Sequence, residues 1–191
     1  MTFSGEHSGA HQQSGLSGSK KRCVSLRNFG RPRKVQLRRL LRTLSEAEVQ
    51  FVIVGGVALI ARGVPRTTED LDIAYARDRE NLKRLADALA PLNPRLRGVP
   101  DGLPFVLDFA TLQMGLNFTL NTDLGPLDLL GEVAGLGPFA DVRSHADLLE
   151  IADYQVAVLS TEGLVRAKRA AGRPKDLLDL GSLASLKKLK T

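Results

Sequence analysis

Apolar residues recur along this chain with two different periods, and the switches between them outline its elements. From Val35 onward Leu37, Leu40, Leu41 and Leu44 fall on one helical face and Arg38, Arg39 and Arg42 on the other, which predicts an amphipathic helix. Phe51-Val52-Ile53-Val54 is a continuous apolar run ending at Gly55-Gly56, the pattern of a strand buried on both faces and stopped by a glycine turn. A short helix through Ala58, Leu59 and Ile60 is expected next. Leu71, Ile73 and Tyr75 then alternate with Asp70, Asp72 and Ala74, so one strand carries an apolar and an acidic face. Asp78 is placed to cap a helix that turns Leu82, Leu85, Ala86 and Leu89 inward.

The stretch from Pro91 to Pro104, rich in Pro and Gly, is expected to be a loop. Leu116 to Leu120 and Leu127 to Leu130 read as two strands of a hairpin turning around Asp123, Gly125 and Pro126. A further strand is expected at Gln155 to Leu159. Ser160 or Thr161 would cap a helix to about Ala171, and Pro174 opens a last helix whose leucines include Leu177, Leu180, Leu183 and Leu186. No internal repeat is visible.

Composition adds a boundary to this picture. The 191 residues suit one well-buried domain, and 43% hydrophobic with 25% charged residues excludes a wholly disordered or collagen-like chain. The net charge of +6 is unevenly spread: residues 1 to 42 hold ten Lys or Arg and one acid, Glu6, whereas 17 bases and 20 acids follow from Thr43. Residues 1 to 19 are mostly Gly, Ser, His and Gln, too poor in branched apolar side chains to offset the entropy of ordering. Residues 1 to 34 therefore read as a disordered, basic arm and residues 35 to 191 as a single domain. Such an arm attracts polyanions such as RNA by counterion release; a plain solvated tail, or an over-extended start, is the alternative. The lone Cys23 supports no disulfide framework, and no apolar run approaches the ~20 residues of a membrane helix, so a soluble cytoplasmic protein is expected. The arm's basic, Ser-rich character would also fit an organellar transit peptide.

Chemistry concentrates in a few positions. Asp70 and Asp72 lie two apart on one strand, so both carboxylates leave the same face and repel unless a cation or shared proton compensates. A hard divalent metal that also binds phosphate oxygens is the usual compensation. Asp128, between Leu127 and Leu129, offers a third carboxylate from another strand, and three acids can hold two metals. Gly55-Gly56, where a buried strand hands over to a helix, leaves backbone amides open to phosphate oxygens, and Arg66 and Thr68 can add a cation and a hydroxyl. Lys168 shares a helical stripe with Leu164 and Val165 and points inward, toward either an NTP phosphate or Asp176 and Asp179. Each feature has a plainer reading: glycines serve strand-to-helix turns, and acids cap helices or line exposed edges.

In this order the residues resemble the nucleotidyltransferase superfamily that includes DNA polymerase beta. The resemblance rests on Val54-Gly55-Gly56, thirteen intervening residues, Asp70-Leu71-Asp72, and the later Asp128. Gly55-Gly56-Val57-Ala58-Leu59, Arg66 to Asp72 and the Lys168 to Asp179 segment are similar to the small prokaryotic members, several of which belong to toxin-antitoxin pairs. The resemblance implies an α+β fold with a mixed β-sheet flanked by helices. It implies Mg2+, two ions, at Asp70, Asp72 and Asp128, the triphosphate at Gly55 and Gly56, and a phosphate contact at Lys168. The implied activity is transfer of a nucleoside monophosphate from an NTP to an acceptor hydroxyl. That acceptor would be an RNA end such as tRNA reached through the basic arm, a protein side chain, or a small molecule of the aminoglycoside kind. A cognate toxin or antitoxin is an implied partner, and a non-catalytic binding module on the same fold is the alternative.

Overall fold

The computed structural model describes residues 34–100 and 104–189. The expected disorder and polyanion binding of the basic arm lie outside the described residues. Helix α1 (Leu37–Glu46) buries Leu40, Leu41 and Leu44 completely and leaves Arg38 and Arg39 exposed, as its spacing predicts. Full burial of a leucine contributes about 1.5–3 kcal/mol, so this face anchors the helix. The chain just before it is tied down by two backbone bonds, from Val35 N–H to the Glu69 carbonyl and from Gln36 N–H to that of Leu124.

Strand β1 (Phe51–Val54) is buried at all four positions, so both of its faces are covered. It runs directly into helix α2 (Gly55–Ala61). Strand β2 (Leu71–Tyr75) follows, then α3 (Arg79–Leu89), capped by Asp78 accepting from Asn81 N–H. Among its described residues the expected loop from Pro91 contains a 3-10 turn and a two-residue strand, β3 (Arg95–Leu96), and α4 (Phe109–Met114) comes after it. Local Pro and Gly content pointed to an irregular segment; pairing with a neighbouring strand is a tertiary contribution that composition does not carry. The expected hairpin is present as β4 (Asn117–Thr122) and β5 (Gly125–Leu130).

A small ribbon of β6 (Glu132–Val133) and β7 (Gly137–Pro138) leads to α5 (Phe139–Ser144). Strands β8 (Ala146–Ile151) and β9 (Tyr154–Leu159) form a second hairpin. Of these, only β9 was expected. Strand β8 is an edge strand, half exposed with Leu148 open to solvent, so its sequence lacks the alternation of a core strand. Helix α6 (Thr161–Ala171) is capped by Ser160 accepting from Gly163 N–H, and α7 (Pro174–Leu189) packs on it.

Seven strands form one sheet in the order β3-β4-β5-β2-β1-β9-β8. The pairs β2–β5 and β1–β9 are parallel and the other four are antiparallel, so the sheet is mixed, flanked by helices as the resemblance implies. In α7 the structure departs from the leucine pattern. Leu177 and Leu178 are exposed, while Asp176, Asp179 and Leu183 are buried. The helix turns its acids inward because two basic side chains await them there. Among the described residues no helix is long and apolar enough to cross a membrane.

Candidate active site

One row of in-register residues crosses the middle of the sheet. Val54 on β1 stands opposite Asp72 on β2, Asp72 opposite Asp128 on β5, and Asp128 opposite Thr119 on β4. Register partners share a face, and neighbouring strands are about 4.8 Å apart, so Asp72 and Asp128 are set side by side. Asp70, two residues before Asp72, joins them from the same face. Carboxylate oxygens of Asp70, Asp72 and Asp128 lie within 4.8 Å of one another. The sequence placed the first two together; the parallel β2–β5 register brings in the third.

Around the acids the fold supplies one neutral donor each to Asp70 and Asp72 and a cation to Asp128. Thr68 Oγ1 donates to Asp70 at 2.9 Å, Gly56 N–H donates to Asp72 at 3.3 Å, and the guanidinium of Arg97 pairs with Asp128. The glycine turn lies against this row. Gly55 adopts φ +58, and a Cβ there would overlap the Asp72 carboxylate; a Cβ on Gly56 would strike the Thr68 hydroxyl. The turn is glycine because of both backbone sign and space. Gly172, with φ +62 at the end of α6, has no close neighbour for a Cβ and isolates the backbone cost. Gly172→Ala is expected to cost about 1–2 kcal/mol, and Gly55→Ala measurably more because Asp72 must also move. Urea midpoints of the two variants check this; equal losses would show that Asp72 does not press on the turn.

Asp72 and Asp128 open into a cleft of about 510 Å³ whose lining also includes Gly55, Thr119, Lys168 and Arg173. Lys168 is the inward lysine expected on α6, and its side chain is 10% exposed. It donates to Asp176 at 2.7 Å and pairs with Asp179 at 2.9 Å. Arg173 Nε adds 2.8 Å to Asp176, and Arg66 Nη1 reaches both Asp179 oxygens at 2.8 and 2.9 Å. Of the two partners open to Lys168, the α7 acids are thus engaged, while the lysine still lines the cleft. Arg66 and Thr68 are committed to Asp179 and Asp70 respectively.

The model of a protein family described as "Nucleotidyl transferase AbiEii toxin, Type IV TA system" matches residues 39–191. The chain belongs to the AbiEii family. No curated protein matches it in sequence. Among solved structures, the crystal structure of ANT(2")-Ia in complex with adenylyl-2"-tobramycin is 18% identical with a TM-score of 0.52, covering 78% of this chain and 86% of that one. Lincosamide antibiotic adenylyltransferase LnuA, lincomycin-bound, is 14% identical with a TM-score of 0.52, covering 80% of this chain and 98% of that one. At these identities the likeness is one of fold. This member of the family is therefore a nucleotidyltransferase, and the expected superfamily is confirmed.

In this AbiEii protein the triad carries more negative charge than its surroundings welcome. Burial, then the charge of Asp70, pushes the Asp72 carboxyl above its usual range, against the pull of Gly56 N–H, Lys168 and Lys175. Burial also raises Asp128, to about 6, with Asp72 and Asp70 adding to it and Arg97 opposing. Asp176 shows the reverse balance. Burial alone would raise it, but hydrogen bonds from Arg173 and Lys168 outweigh that and hold it at about 2.

These shifts fix the sign of a pH dependence. Asp128 is raised from the ordinary ~3.9, so between those values the folded state binds the proton more tightly than the unfolded one. Metal-free protein is expected to lose stability as pH rises from 4 through 6, by on the order of 2 kcal/mol, and Asp128→Asn should flatten that slope. The Asp176 contribution is present above about 4 and is lost as pH falls toward 2. Urea unfolding across this range, with EDTA, reads both; a wild-type slope retained in Asp128→Asn would assign it to another group.

Asn117, Thr119 and Glu132 line the cleft, and Arg97 touches the triad, yet none was singled out from sequence. Asn117 and Thr119 alternate with buried Phe118 and Leu120, a polar strand face that periodicity can reveal. Arg97 sits in the Pro- and Gly-rich segment and carries no local signal.

Proposed function

We propose that this protein transfers a nucleoside monophosphate from an NTP to an acceptor hydroxyl, releasing pyrophosphate, as the toxin of a toxin-antitoxin pair. The observation that carries the reading is the row of Asp72 and Asp128 in register, joined by Asp70, beneath a turn that only glycine can make. The donor set is all oxygen, compact and burdened with unwelcome charge, which fits hard divalent cations such as Mg2+. Asp70, Asp72 and Asp128 would hold such ions, two by analogy with the superfamily, and these would neutralise the triphosphate and polarise the acceptor hydroxyl.

The chain's own groups do the rest. Gly55 and Gly56 let the triphosphate approach the backbone without side-chain obstruction. Lys168 is positioned by Asp176 and Asp179 at the cleft wall, where it would contact phosphate, and Arg66 and Thr68 hold the adjoining segment in place. The acceptor oxygen attacks the α-phosphorus, the bond to the bridging oxygen of pyrophosphate breaks, and Asp128 takes the hydroxyl proton. An NTP donor, ATP among the candidates, suits a cytoplasmic setting.

Both the toxin family and the antibiotic adenylyltransferase fold bear on the acceptor. The deciding experiment incubates purified protein, Mg2+ and each α-labelled NTP with total RNA, total protein and an aminoglycoside, beside an Asp70→Asn, Asp72→Asn variant. Label leaving the NTP with pyrophosphate release, absent from the variant, is the expected result. A tRNA-sized band, a protein band or a labelled small molecule names the acceptor. No metal-dependent turnover with any of them would replace the transferase by a non-catalytic binding module.

A further inference from the structure

Each acid of the triad has a partner, and they differ in kind. Asp70 has the Thr68 hydroxyl and Asp72 the Gly56 amide, whereas Asp128 has the full charge of Arg97, the cation bonded directly to the triad among the described residues. The contact is on Asp128 Oδ1, with the Arg97 side chain 29% and the Asp128 side chain 21% exposed. Backbone geometry puts the arginine there. Arg97 N–H donates to the Thr119 carbonyl at 2.8 Å, and Thr119 is the register partner of Asp128, so the guanidinium reaches across β4 onto β5. Its own anchorage is slight: it lies in the turn that follows β3, a two-residue edge strand whose Arg95 and Leu96 side chains are exposed.

We propose that Arg97 is a built-in counter-cation for Asp128, one that a divalent ion must displace to gain the third carboxylate. This rests on the reading of the triad as a metal site. A guanidinium and a metal ion draw on the same carboxylate charge and lone pairs, so one carboxylate oxygen cannot serve both fully. While it holds Asp128, Arg97 offsets the carboxylate's charge and fixes its rotamer, and it lowers the site's affinity for metal. Leaving costs little packing, because the arginine stands on the sheet edge rather than in the core. Arg97 is thus a positioning residue that sets how readily the site loads.

Mn2+ affinity without nucleotide, measured on the full chain by electron paramagnetic resonance or calorimetry, tests this with no need for turnover. Arg97→Gln is expected to bind Mn2+ about tenfold more tightly than wild type, since a half-buried charge pair of ordinary strength is traded for free ligand capacity. Arg97→Lys, which keeps the charge, should return toward wild type. Arg95→Gln is the control: it removes the same charge two residues away, but Arg95 pairs with Asp123 at 3.6 Å and not with the triad. Tighter binding confined to Arg97→Gln supports the proposal. Unchanged or weaker binding by Arg97→Gln, or equal tightening by Arg95→Gln, overturns it while the metal site stands. Absence of Mn2+ binding in wild type and Arg97→Gln alike overturns both.

Discussion

Asp72→Asn is expected to lower NTP turnover by at least about a thousandfold, the scale of removing several kcal/mol of charge stabilisation at a metal-assisted centre, without lowering the stability of the metal-free protein. The two halves have one cause. Asp72 is a carboxylate raised by burial and by Asp70, so neutralising it removes a repulsion that the fold tolerates. Asn keeps an oxygen to accept Gly56 N–H and has nearly the same volume, so the fit against the glycine turn survives. Stability and activity should therefore move apart: a urea midpoint equal to or above wild type in EDTA, with labelled-NTP turnover near background. A variant that loses both together would make Asp72 a structural acid whose loss unfolds the site. A variant that keeps turnover would remove it from the chemistry.

The second large effect lies on α7. Asp176→Ala is expected to destabilise the protein by about 3 kcal/mol, because removing one partner of a buried pair leaves the other charge without compensation. Asp176 is fully buried and Lys168 nearly so, and the carboxylate also accepts from Arg173. Asp179 remains beside the lysine at 2.9 Å, which keeps the loss at the lower end of the usual range. In a domain of this size the melting temperature should fall by roughly 6–12 °C. The Lys168→Met, Asp176→Leu double variant should recover much of the loss, since a well-packed apolar pair can replace a buried ion pair at little net cost. If the double variant is no better than the single one, the fold needs the network itself and not merely the absence of a stranded charge. Turnover of the double variant then reports on Lys168 separately: activity near wild type would exclude it as a phosphate contact.

Much of the architecture was readable where local rules and burial agree. Leu40, Leu41 and Leu44 lie at helical spacing and are all fully buried, and Phe51 to Val54 form a strand covered on both faces. Asp78 and Ser160 cap their helices through backbone amides three residues on, a contact that needs no information from elsewhere in the chain. The reading weakened at sheet edges. Strand β3 hides in a segment whose composition says loop, and β8 lacks alternation because one edge of the sheet faces solvent. In α7 the leucine spacing suggested which side faces inward, but the cations of Lys168 and Arg66 rotated the buried stripe onto Asp176 and Asp179.

Within the site the division follows sequence separation. Asp70 and Asp72 share a face because strand side chains repeat every two residues, and Gly55 belongs where a buried strand turns into a helix; both facts are local and visible in one dimension. That Asp128 completes the triad depends on the parallel register between β2 and β5, that Arg97 neutralises it depends on an edge pairing with β4, and that Lys168 is held by α7 depends on the packing of α6 against it. The sequence by itself determined the central strands, the capped helices, the acidic pair and the family they point to, because periodicity, caps and turns act over a few residues. The tertiary structure alone decided which distant charges meet, because charge pairing is settled by distance in space and by burial, and neither is written along the chain.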